Sequence, residues 1–210
     1  MVTNELWSLI SILRSTTIIE TLYALQHFTL HIHERANFIQ VFLIDNSEIM
    51  AAHWPQLQRT IRALLHKVRE LDDDGIDMYF TQGGLQAKQQ KNHENVMSKL
   101  EAFPQQGVQT HAPSSLNDVF DDYKRRAADA RRHHSKQKQL KLLFLTDGLW
   151  CTITERQKIS VVIEKFITDL ERVLLTFDEH SVGIEFVRFG TNLDVIEAFR
   201  WLDDEVESIA

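Results

Sequence analysis

The stretch VFLIDNSEIM, residues 41–50, is apolar from Val41 to Ile44, stops on the carboxylate of Asp45, offers a hydroxyl at Ser47 and returns to apolar Ile49 and Met50. A short, nearly unbroken apolar run is the pattern of a central strand covered on both faces of a parallel sheet. A second such run, Leu140 to Leu145, ends in Thr146, Asp147 and Gly148. From residue 39 onward, short apolar runs alternate with segments of helical period, which predicts βαβ units feeding a parallel sheet and so an α/β fold.

Strands are expected at Ile39–Ile44, Ile76–Phe80, Leu140–Leu145 and Val182–Val187, with the first and third as neighbours. Helices are expected where apolar residues share one face: Trp54, Leu57, Ile61, Leu64, Leu65, Val68 and Leu71 form one stripe. Ile159, Val162, Ile163, Phe166, Leu170, Val173 and Leu174 form another. A third helix is expected to start near Ser115, whose spacing to Asp118 resembles a capping box, and to run through Val119, Phe120 and Tyr123. Between Gln82 and Pro113 the chain reads as a loop, a helix and another loop, with Gly83-Gly84 and Pro104 as breakers. Leu6, Leu9, Ile10 and Leu13 recur at helical spacing, continued loosely by Ile18, Leu22 and Leu25, so residues 1–37 read as an N-terminal helical extension and 38–210 as the main domain.

Composition narrows the function classes. A formal charge of -7 disfavours a general nucleic-acid binder, because neutralising phosphates requires a cationic face. The local basic segment from Lys124 to Lys141 reads as a solvated helix end and linker. No run approaches the roughly 18 apolar residues of a membrane helix, and Glu5 and Arg14 do not suit a signal peptide, so a soluble chain without a membrane partner is expected. The lone Cys151 excludes an intramolecular disulfide and fits a reducing, cytoplasmic setting.

Ligands of open parallel sheets collect at the carboxyl ends of the strands, where the connections diverge to either side. If the strands ending in Asp45 and Asp147 are neighbours, two carboxylates and the Ser47 hydroxyl converge on one crevice, an oxygen set suited to a hard divalent cation. The simpler reading is that each aspartate caps the turn or helix that follows it. Other motifs fail on inspection. A haloacid-dehalogenase strand needs a second aspartate where Ser47 stands. Asp72, Asp73, Asp74 and Gly75 would put Thr81 at the calcium-loop position that needs glutamate, His31 and His33 lack a clear third ligand, and no phosphate-binding glycine loop is present.

The order Asp-x-Ser after a first apolar strand, a threonine in a loop before a helix, and Thr-Asp-Gly after a later strand resembles a von Willebrand factor type A domain with its metal-ion-dependent adhesion site. The resemblance covers roughly residues 38–205. DDDGIDMYF, TDGLW, SVGIEFVRFG and AFRWLDDEV are similar to the stand-alone type A domain proteins of filamentous fungi. It implies a doubly wound, Rossmann-like sheet and a magnesium site made by Asp45, Ser47, Thr110 and Asp147, with Ser114 and Ser115 as the other candidates for the threonine. It further implies that the hydroxyls contact the metal directly, that the aspartates act largely through water, and that an acidic side chain of a partner protein completes the shell.

This chain departs from the family pattern where the third hydroxyl should be: Ile49 stands there, preceded by Glu48 in place of glycine. An isoleucine has no lone pair to offer a metal that demands near-octahedral oxygen coordination, so the implied site is partly degenerate. A Glu48 carboxylate folded over the site would block it internally. Two functional classes follow: a non-enzymatic protein-interaction module that uses this face with or without magnesium, and a metal-dependent hydrolase or transferase that uses the same acidic crevice. The first is expected, since no nucleophile or base with an orienting partner stands out.

Overall fold

Both parities of the run Phe38–Ile44 (β2) are buried: Val41 and Leu43 face one hydrophobic cluster, Phe42 and Ile44 the other. A strand apolar on both sides needs cover on both, and the chain supplies it. A computed structural model describes residues 10–13, 38–68, 75–103, 105, 107, 110–150, 152–173 and 182–208. After β1 (Ile10–Leu13) and β2 come a 3-10 turn (Glu48–His53), α1 (Trp54–Val68), β3 (Ile76–Phe80), β4 (Gln86–Gln90), α2 (His93–Ala102), α3 (Ala112–Arg132), β5 (Gln139–Thr146), α4 (Ile153–Val173), β6 (Val182–Arg188) and α5 (Leu193–Ser208).

The strands form one sheet in the order β1-β6-β5-β2-β3-β4, parallel except for the edge pair β3–β4. One face carries Val41, Leu43, Leu142, Phe144, Ile184 and Phe186 under α3, α4 and α5; stacking of Phe120 on Phe166 at 3.9 Å joins α3 to α4. The other face carries Phe42, Ile44, Leu143, Leu145 and Val187 under α1 and α2, which contribute Leu57, Ile61, Leu64 and Val96. The fold is thus a doubly wound α/β sheet, with β2 and β5 adjacent from Phe38↔Gln139 to Ile44↔Leu145. The connection from β2 leads outward to β3 and that from β5 leads outward to β6, so the switch point lies between β2 and β5.

Two expectations need correction. Ile10–Leu13, expected within an N-terminal helix, is instead a strand that pairs in parallel with β6, Ile10 opposite Ile184, at the edge of the sheet. Four residues span barely one helical turn, too few for spacing to separate the two states, and the edge of a sheet rewards a segment containing two isoleucines with ladder bonds. The polar stretch QAKQQ was expected in a loop but forms β4. It is an edge strand with little apolar cover, turned back from β3 through Gly83 and Gly84, both at positive φ. Leu6, Leu9, Ile18, Leu22, Leu25, His31, His33, Leu71, the run Asp72 to Asp74, Cys151 and Leu174 lie outside the described residues. No described helix is long and apolar enough to cross a membrane.

The sheet carries an ionisable pair near its amino-terminal edge. By strand alternation Gln40, Lys141 and Glu185 share the face of Phe42 and Leu143, and all three are buried. Burial lifts Glu185 to about 8 against the opposing charge of Lys141, and burial lowers Lys141 to about 8 against the charge of Glu185. A carboxyl raised above its unfolded value keeps its proton in the folded chain. Ionising it removes stability as the pH climbs from the unfolded carboxylate range towards its folded value. Glu185→Gln should therefore gain stability relative to the native chain between about pH 5 and pH 8, by up to about 1.4 kcal/mol per pH unit. Denaturant unfolding at both pH values measures the difference; a gap that does not widen with pH would contradict the placement of Glu185.

Candidate functional site

Asp45 sits one residue beyond β2, fully buried, and its backbone N–H donates to the Leu145 carbonyl at 2.9 Å, extending the β2–β5 pairing to the strand ends. A carboxylate removed from water must be met by donors. Its Oδ1 accepts from the Thr110 hydroxyl at 2.7 Å and the Ser47 N–H at 3.1 Å, with Thr81 more distant at 3.4 Å. Its Oδ2 accepts from the Thr146 hydroxyl at 2.7 Å. Four segments of the chain therefore meet on one side chain.

Of the expected loop hydroxyl, Thr110, and its two alternatives, Thr110 is the one that bonds to Asp45. Ser114 and Ser115 both donate to the His111 carbonyl at 3.0 Å, in the first turn of α3, and stand outside the cluster at Asp45. Ser47 and Asp147 arrive with capacity to spare. Ser47 is 1 % exposed and Asp147 4 % exposed; Asp147 Oδ1 accepts from the Leu149 N–H at 2.9 Å, while Ser47 Oγ and Asp147 Oδ2 have no hydrogen-bond partner among the described residues. Burial raises Asp147 above the ordinary carboxylate range, the Leu149 N–H opposes that, the charge of Asp45 adds to it, and the nearby charge of His53 opposes it. Buried orphan oxygens on two adjacent strand ends mark a place for an ion or ordered water.

The remaining residues of the opening motif divide by side. Met50 is fully buried in the core beneath α1, whereas Ile49 is 40 % exposed. The 3-10 turn from Glu48 to His53 produces this split, turning one apolar side chain in and the other out. Glu48 is exposed; its N–H donates to the Gly107 carbonyl at 2.9 Å, and its carboxylate has no partner among the described residues.

Several supporting residues were not anticipated. Thr146 donates to Asp45 while accepting from Gly148 N–H at 3.0 Å and from the Trp150 indole at 2.6 Å, which locks the turn after β5. Asn46 Oδ1 accepts from the Gln82 N–H at 2.8 Å and ties β2 to the end of β3. Gly148 has φ +75°, and a Cβ there would lie 2.4 Å from the Phe199 ring and 2.6 Å from Val195, so the Asp-Gly pair is what lets this loop pack on α5. The Thr-Asp-Gly triplet carried a signal for Thr146 that attention to its aspartate obscured. Asn46 and His53 have no sequence signature at all.

No cluster of three or more histidine, cysteine, aspartate or glutamate side chains able to hold a metal occurs among the described residues. The assembled set instead mixes two carboxylates with hydroxyls, the oxygen chemistry of a hard cation. The comparisons are silent on family: no protein-family model matches the chain, and no curated protein does.

The two hydroxyls should behave oppositely on removal. Thr110→Val deletes a donor to a buried carboxylate and should cost about 1–3 kcal/mol, whereas Ser47→Ala removes an unpartnered hydroxyl and should change stability by less than about 0.5 kcal/mol. Urea unfolding of both variants reads the contrast, and equal losses would mean that the Asp45 network is not the one described.

Proposed function

We propose that the strand-end face is a protein-docking surface built around a weakened divalent-cation site, and that the chain is a non-enzymatic interaction module of the von Willebrand factor type A kind. The observation that carries this reading is the pair of buried, unpartnered oxygens, Ser47 Oγ and Asp147 Oδ2, beside the Thr110–Asp45 hydrogen bond. Ser47 and Thr110 would offer their hydroxyls to magnesium, with Asp45 and Asp147 acting through water. A bound ion would supply the positive charge that Asp147 lacks. With Ile49 in place of a third hydroxyl, water must take that vertex. A partner's acidic side chain would then complete the shell.

Protein docking is further supported by what surrounds the site. Ile49, Leu149, Ile153 and Leu193 are exposed apolar residues that follow β2, β5 and β6 at the same end of the sheet. Exposed apolar side chains gathered at one end of a fold favour a protein partner. The competing reading, a metal-dependent hydrolase or transferase, draws on the closeness of His53 to Asp147. The sequence offers that reading no nucleophile or base with an orienting partner, so the interaction module is preferred.

Calorimetric titration of magnesium, then manganese, into the chelator-treated protein tests the reading. Saturable binding is expected in the native chain, lost in Asp147→Asn and Ser47→Ala, and tightened roughly tenfold in Ile49→Ser, which returns the missing ligand. Heats indistinguishable from dilution in both the native chain and a folded Ile49→Ser variant would remove the cation from this reading.

A further inference from the structure

At the opposite end of the sheet, where the strands begin, a cavity of about 250 Å³ lies between the last turns of α3 and the starts of β2 and β3. Ile39, Tyr123, Ala127 and Ala130 give it an apolar wall, and Arg126 and Lys136 bring cationic groups to its lining. The lining also includes Lys138 and the carboxylate of Asp77. That carboxylate is already engaged: Oδ1 accepts from the Gln89 N–H at 2.7 Å and Oδ2 accepts from Arg126.

Arg126 is held in place from two sides. Its Nη2 pairs with Asp77 and also with Asp122 at 2.7 Å, and Asp122 in turn accepts from the Tyr79 hydroxyl at 2.7 Å and pairs with Lys88 and Arg125, each at 2.8 Å. The lining thus sets the cations of Arg126 and Lys136 against the one carboxylate of Asp77. Both ion pairs of Arg126 run through Nη2, which leaves the donors on Nη1 and Nε for another acceptor. The mouth is ordered as well: the Tyr123 hydroxyl donates to the Lys138 carbonyl at 2.9 Å and accepts from Gln137 Nε2 at 2.9 Å, fastening the segment that carries Lys136 to α3.

We propose that this cavity binds a small aromatic anion, with its ring against Ile39 and Tyr123 and its carboxylate or phosphate on Arg126 and Lys136. An arginine fixed by buried carboxylates loses little freedom when it grips an anion, which is why planar guanidinium groups serve such sites. The volume falls just below the roughly 300 Å³ at which ligand pockets usually begin, so a single ring fits and a nucleotide does not. This site is separate from the strand-end face and does not depend on its cation.

The test is titration of phenyl phosphate into the isotopically labelled full-length chain, following the backbone amides from Tyr123 to Ala130 and from Lys136 to Lys138, with inorganic phosphate and benzyl alcohol as separate arms. Saturable shifts are expected with phenyl phosphate, at least roughly tenfold tighter than with either half alone. Ala130→Trp, which fills the cavity from a half-buried position, should abolish them, and Lys136→Gln, on an exposed residue, should weaken them roughly tenfold. Absence of saturation, equal affinity for inorganic phosphate, or binding untouched in both variants would overturn the assignment.

Discussion

A single buried carboxylate organises the strand-end face. Asp45 leaves β2 at the switch point of the sheet, and the donors that satisfy it come from its own turn, from the loop before α3 and from the end of β5, with Thr81 of the loop after β3 close by. Each of those donors could stay hydrated in an unfolded chain; they are drawn together because a charge without partners in the interior is costly. The adjacency of β2 and β5, fixed by apolar packing on both faces of the sheet, is what allows Thr146 to reach Asp45. The site therefore rests on the core beneath it, and the core's topology determines which residues can take part.

Asp45 and Asp147 stand on neighbouring strands yet have different surroundings. Asp45 is surrounded by donors, whereas Asp147 has one oxygen bound to the backbone and one with no partner. The first carboxylate is structural in any reading, because its hydrogen bonds hold the loops. The second carries the unanswered charge, and burial and the neighbouring Asp45 both oppose its ionisation. A cation placed there would reverse that cost, which is the physical basis for reading the pair as a binding site rather than as two turn caps.

Polar groups are also buried towards the other end of the sheet, with a different result. The Tyr79–Asp122–Arg126–Asp77 network is paired throughout and fixes α3 on β3. Buried ion pairs of this kind add little net stability, because desolvation consumes most of the Coulomb gain, but they hold the groups they involve at defined positions. The basic segment that sequence alone suggested to be a solvated helix end is therefore divided: Arg131 and Arg132 are exposed near the end of α3, while Arg126 is drawn into the fold.

The sequence by itself determined the α/β class, the four strands that are strongly apolar, the adjacency of β2 and β5 and the place of Asp45 and Asp147 at their carboxyl ends, because burial on both faces leaves a dense apolar signature and a carboxylate ending such a run stands out. It did not reveal β1 or β4, since an edge strand is half-covered and its composition follows solvent more than the core. The hydrogen bond that ties the Thr110 hydroxyl to Asp45, and the opposite burial of Ile49 and Met50, were decided only by the tertiary structure. Both depend on how a loop and a 3-10 turn lie against neighbouring elements distant in the chain, and local sequence carries no record of those contacts.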